Sequence, residues 1–152
     1  MEVNHQTKTK LQQLSDWYGD GTDGSCPTAE QWQRIFSGPS DQPIVLVNFF
    51  KLRATAQYQG GSEAGETPVS GEDAFGRYAA TSVPTLERVG GQFLHVGPVK
   101  GTFLGEEEDW DLVAIGRYPN AQSFFNLYID AAYRKAFAHR TAACETQKVL
   151  IA

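Results

Sequence analysis

Trp110-Asp-Leu-Val-Ala-Ile-Gly-Arg-Tyr118, Pro119-Asn120 and then AQSFFNLYIDAAYRKAFAHRTAAC over residues 121–144 form the stretch whose reading decides the fold. The first run alternates side chains on a strand, Pro119-Asn120 turns the chain, and a helix is expected from Ala121 through to Cys144. At about 100° per residue from Phe125, the positions Ile129, Ala132, Ala136, Arg140 and Ala143 share one helix face, flanked by Tyr133 and Cys144. Arg140 thus belongs to the apolar stripe, apart from the solvated Arg134 and Lys135. A guanidinium cannot shed its charge in a protein, so a buried one is paired, snorkels to water, or is offered an anion such as a carboxylate, enolate or phenolate.

Outward from this stretch, the strand Ile44–Arg53 opens after Gln42-Pro43. Ile44, Leu46, Phe50 and Leu52 lie on one face and Val45, Val47 and Phe49 on the other. The strand from Trp110 to Tyr118 is also apolar on both faces. Such strands belong to sheets covered on both sides. Two main helices cover one side only, so a second subunit packed sheet to sheet is the expected cover for the other, with the N-terminal segment as the alternative.

Ser70-Gly-Glu-Asp73 caps a helix that carries Phe75, Ala79, Ser82, Leu86 and Val89 on one stripe and Tyr78 at its edge. Pro84 inside it removes a hydrogen bond to Ala80 and predicts a kink. Gly90-Gly91 ends this helix. Gln92–Leu104 follows as a bulged edge strand or a bent pair of strands, and Thr146–Ile151 forms the last strand. The order is strand, helix, strand, strand, helix, strand: an α+β, ferredoxin-like βαββαβ subunit with a four-stranded antiparallel sheet.

Ahead of residue 42 lies an N-terminal helical extension, residues 1–41, distinct from the domain 42–152. Met1–Lys10 is polar and expected to fray, Leu11–Tyr18 reads as a short helix, and Thr28-Ala-Glu-Gln31 is a capping box that opens a second one ending at Gly38-Pro39. Gly19–Ser25 looks like a calcium loop but lacks the alternating ligands and the terminal Glu. Ala54–Val69, rich in Gly, Gln, Glu, Ser and Thr, is expected to be a surface loop or mobile hairpin.

The chain of 152 residues carries a net charge of −5 and 41% hydrophobic residues. This composition suits one packed domain and disfavours a nucleic-acid surface. No apolar run reaches the ~20 residues of a membrane span, and the start lacks a signal-peptide core, so a cytoplasmic protein is expected. Two cysteines, Cys26 and Cys144, are too few for a disulfide framework and lack metal-site spacing. The acidic run 106–109 reads as a solvated turn. No motif calls for a cofactor or a metal.

Polar residues on apolar faces mark the candidate site. Asn48 interrupts an apolar strand face; its amide either holds a neighbouring loop or orients a ligand oxygen. His95, in the glycine-rich second strand, is a candidate for proton transfer. Tyr78 and Tyr133 present phenols to the cavity of Arg140, or pack with their hydroxyls satisfied at a rim. Arg117 shares a strand face with Asp111, Val113 and Ile115, and is either a ligand contact or half of an intersubunit ion pair.

Several segments together resemble a known family: Val47-Asn-Phe-Phe-Lys-Leu-Arg53, Tyr78 with Pro84 and Leu86, Gly90-Gly91, Trp110-Asp111, Tyr118-Pro119 with Ser123-Phe124, and Tyr133 with His139-Arg140. Over roughly residues 42–152 the chain resembles domain-of-unknown-function family 1330, in the dimeric α+β-barrel superfamily. The resemblance implies a subunit that dimerises through its sheet, with a pocket between sheet and helices. Superfamily relatives include cofactor-independent monooxygenases, muconolactone-isomerase-like enzymes, haem-degrading enzymes and ligand-binding regulators, so fold analogy leaves the reaction open. Two functions are expected in consequence. One is a cofactor-independent enzyme for a small anionic or aromatic metabolite, with Arg140, His95 and Tyr78 as the chemical groups and Asn48, Tyr133 and Arg117 as ligand contacts. The other is a non-catalytic, homodimeric ligand-binding or interaction module using the same pocket.

Overall fold

The computed structural model describes residues 5–59 and 68–152. Strands β1 (Ile44–Leu52), β2 (Gln92–Pro98), β3 (Leu112–Tyr118) and β4 (Cys144–Ile151) form one antiparallel sheet in the order β2-β3-β1-β4. The helices among the described residues are α1 (His5–Tyr18), α2 (Ala29–Phe36), α3 (Gly71–Arg88), α4 (Ala121–Ile129) and α5 (Ala131–Ala143). The fold is therefore α+β with the ferredoxin-like strand order, and the most apolar strands, β1 and β3, lie at its centre.

Several boundaries differ from the sequence reading. The N-terminal helix begins at His5, so residues 5–10 are ordered helix, while Met1–Asn4 lie outside the described residues. The run expected as one helix from Ala121 breaks at Asp130, whose backbone is extended (φ −60°, ψ 129°). Its carboxylate accepts the Tyr133 backbone N–H at 2.9 Å and a bond from the Arg88 guanidinium at 2.7 Å, so the side chain caps α5 and ties it to α3. The phase of the stripe resets at this break: Ala132 is exposed, whereas Tyr133, Ala136, Phe137, Arg140 and Ala143 are buried. Beyond β2, residues 99–111 form no strand. Asp111 lies before β3, and its carboxylate accepts the Leu52 N–H at 2.7 Å where the pairing of β1 with β3 ends.

Helix α3 runs through Pro84, and the Thr85 hydroxyl donates to the Thr81 carbonyl at 2.7 Å. Its first residue, Gly71, abuts the end of β1: its N–H donates to the Arg53 carbonyl at 3.1 Å, and a Cβ there would stand 2.1 Å from that oxygen. Of the loop Ala54–Val69, residues 60–67 lie outside the described residues; Thr55 and Ser70 bridge its two ends.

The core is an aromatic cluster shared by the N-terminal helices and the rest of the chain. Trp32 sits edge-on to Tyr128 with centroids 5.0 Å apart, and Tyr18 sits edge-on to Tyr128 and Phe137. Tyr18 also donates its hydroxyl to the Tyr128 carbonyl at 2.6 Å. Both N-terminal helices are thus spent on the helical layer. The other side of the sheet, with the row Leu150, Val47, Ile115 and His95 across all four strands, has none of them over it.

Candidate functional site

Beneath α5, the inner face of β1 contributes Leu46, Asn48 and Phe50, and the inner face of β4 contributes Gln147. Arg140 descends onto this floor and is 5% exposed. Its Nε donates to Gln147 Oε1 at 2.8 Å, its Nη1 to the Tyr78 hydroxyl at 3.2 Å, and its Nη2 to Asn48 Oδ1 at 3.5 Å. The rings of Phe50, Phe137 and Tyr78 lie 4.8, 5.3 and 5.6 Å from the guanidinium carbon. The Tyr78 and Tyr133 hydroxyls are 2.7 Å apart.

Every one of these partners is neutral. Among the described residues no carboxylate stands within ion-pair distance of Arg140. Burial opposes its charge, but a guanidinium does not lose its proton in a protein, so Arg140 stays cationic. The neighbouring acids are no nucleophiles at neutral pH. Burial pushes the phenols of Tyr133, Tyr128 and Tyr118 up, and pushes the Cys144 thiol up to about 11.

A cavity of about 530 Å³ opens beside this cluster, within the range of small-molecule sites. Its apolar wall includes Trp32, Ile35, Leu46, Phe124 and Phe137, and its polar wall Thr28, Gln31 and Gln147. Among the described residues, the charged side chains lining it are Arg34, Arg140 and Lys148, in a chain of net charge −5. Much of the wall, from Gly21 to Ile35, comes from the N-terminal segment. There the resemblance to a calcium loop dissolves into local turns: Asp20 accepts from Thr22, and Asp23 from Ser25.

Arg140, Tyr78, Tyr133 and Asn48 are thus brought together. His95 and Arg117 are not. The register places them on the opposite face of the sheet, His95 beside Ile115 and Gly97, Arg117 beside Val45. The β-bulge between Phe93 and His95 separates the two residues' faces, which simple alternation in β2 would have kept together. Gln147 and Trp32 were missed. Gln147 is distinguished only by the register that sets it under Arg140. The signal for Trp32 was its place in the amphipathic α2.

A family model described as Domain of unknown function (DUF1330) matches residues 65–152. A protein of unknown function from Rhodopseudomonas palustris is similar in two crystal structures. One, of the methylated protein, is 30% identical with TM-score 0.74 over 84% of this chain and 91% of that one. The other is 30% identical with TM-score 0.73 over 84% and 93%. A protein of unknown function from Bacteroides fragilis, described as dimeric and ferredoxin-like, is 12% identical with TM-score 0.41 over 75% of this chain and 98% of that one. No curated protein matches the chain.

Proposed function

Since the chain belongs to the DUF1330 family, which carries no assigned reaction, we propose that it binds a small anion with an apolar or aromatic body in the cavity beside Arg140. One observation carries this reading: a buried guanidinium without a carboxylate partner among the described residues, in a cavity whose charged lining among those residues is cationic. Arg140 would pair with the anion, Tyr78 and Asn48 would hold the guanidinium in place, and Trp32, Phe124 and Phe137 would enclose the body. Arg34 and Lys148 at the rim are exposed and already paired with Glu30 at 3.2 Å and Glu108 at 3.5 Å, so the charge offered to the anion is that of Arg140. The open sheet face supports a homodimer, in which His95 and Arg117 would be interface residues.

A catalytic reading rests on the chain Arg140–Tyr78–Tyr133. A phenol there would deliver a proton while Arg140 stabilises developing negative charge. The raised pKa of the Tyr133 phenol and the remoteness of His95 put binding first.

Isothermal titration with phenylpropanoate and with its neutral amide tests the binding reading. The acid binds and the amide does not, and Arg140→Gln weakens the acid by about tenfold or more. Equal binding of acid and amide, or an unaffected Arg140→Gln variant, overturns it. Conversion of a bound compound at catalytic protein concentrations would promote the catalytic reading over it.

A further inference from the structure

A second cavity, of about 440 Å³, lies against the first, and the two share Gly24, Ser25 and Gln147 as a common wall. The wall is held by one long hydrogen bond, from Gln147 Nε2 to the Ser25 carbonyl at 3.5 Å. Gln147 is committed more firmly to Arg140, at 2.8 Å. The second cavity is polar, lined by Gln57, Tyr58, Gln59, Thr141 and Thr146, and it contains Arg53. The Arg53 Nε is buried without a hydrogen-bond partner, and no carboxylate among the described residues stands within ion-pair distance of its guanidinium. The acids in this wall, Asp23 and Glu145, are both exposed, and Asp23 already accepts from Ser25 N and Oγ.

Two guanidinium groups lacking carboxylate partners among the described residues therefore line adjoining cavities, and Gln147 stands in the wall between them. We infer that the natural ligand is a dicarboxylate bearing an apolar substituent: one carboxylate on Arg140, the second on Arg53, and the substituent against Trp32 and Phe124. An anion on Arg140 takes the guanidinium N–H now given to Gln147, which frees that side chain to release Ser25 and join the two cavities. The second carboxylate pairs with the Arg53 guanidinium, whose charge has no carboxylate partner among the described residues.

This inference rests on the anion-binding reading, and the two are separable. The full chain is titrated with benzylsuccinate and with phenylpropanoate, which shares the benzyl group and one carboxylate but lacks the second. Benzylsuccinate binds about tenfold tighter or more. Arg53→Gln abolishes that preference without weakening phenylpropanoate, and Arg53→Lys, which keeps the charge, retains part of it. If phenylpropanoate binds through Arg140 and benzylsuccinate binds no better, or the preference survives in Arg53→Gln, the dicarboxylate falls and the anion site stands. If neither compound binds, both fall. Should Arg53→Gln not fold, the ratio in the native protein and in Arg53→Lys decides.

Discussion

At the scale of single residues, a buried guanidinium surrounded by neutral partners distinguishes a binding group from a structural one. A structural arginine returns stability through its ion pair, and losing it strands a carboxylate. Arg140 leaves no carboxylate behind among the described residues, and Tyr78 keeps Tyr133 as its hydrogen-bond partner. Arg140→Met removes a buried charge but takes donors from the Gln147 and Asn48 amide oxygens, so it should still fold, destabilised by no more than about 1–3 kcal/mol, while its anion binding is lost. Thermal denaturation beside a titration checks this; destabilisation by more than about 3 kcal/mol would make the arginine structural. The sequence exposed Arg140 because Ala136, Arg140 and Ala143 keep helical spacing within α5. It could not expose Gln147, whose importance depends on a strand register fixed by packing across the sheet.

At the scale of elements, the break between α4 and α5 aims Arg140, and Asp130 makes the break. The apolar stripe read through Ile129 and Ala132 as if one helix carried both, because periodicity over a short window does not detect a single extended residue. Asp130 is an N-cap by type, and its tie to Arg88 required the tertiary fold. Asp130→Ala should cost about 1 kcal/mol at neutral pH. The hydrogen bond from the Tyr133 N–H, reinforced by Arg88, holds the Asp130 carboxyl below its ordinary value of 3.8. A carboxylate depressed in the fold contributes stability that is fully present above that unfolded value and is lost as pH falls through the lower, folded one. Denaturant midpoints of the native chain and Asp130→Ala should differ most at neutral pH and converge as the pH falls through the lowered, folded value. A gap unchanged at low pH would show that the cap acts without its charge.

At the scale of the molecule, the sheet was legible as two-faced, but its covers were not assignable, because a strand shows only that a face is apolar. The structure uses the N-terminal helices on one side: Trp32 and Tyr18 lie against α4 and α5, and residues 21–35 wall the cavity. They are no longer available for the other side, where Val47 lies between Ile115 and Leu150. Leu150 is 46% exposed, and on the loop after β2 Phe103 and Leu104 are exposed at 102% and 88%. Exposed apolar surface of this kind is what the proposed homodimer would cover, and a two-fold pairing of one face with its copy uses the same residues twice. The chain should sediment at twice its 16.7 kDa mass. Val47→Glu puts a carboxylate in the middle of this face, between Ile115 and Leu150, while leaving the buried side of β1 untouched. It should shift the protein to monomer with its secondary structure retained, and remove the concentration dependence of the melting temperature. A native chain that sediments as a monomer at micromolar concentration would instead mean that this face is stable in water. His95 and Arg117 would then be surface residues, not parts of an interface.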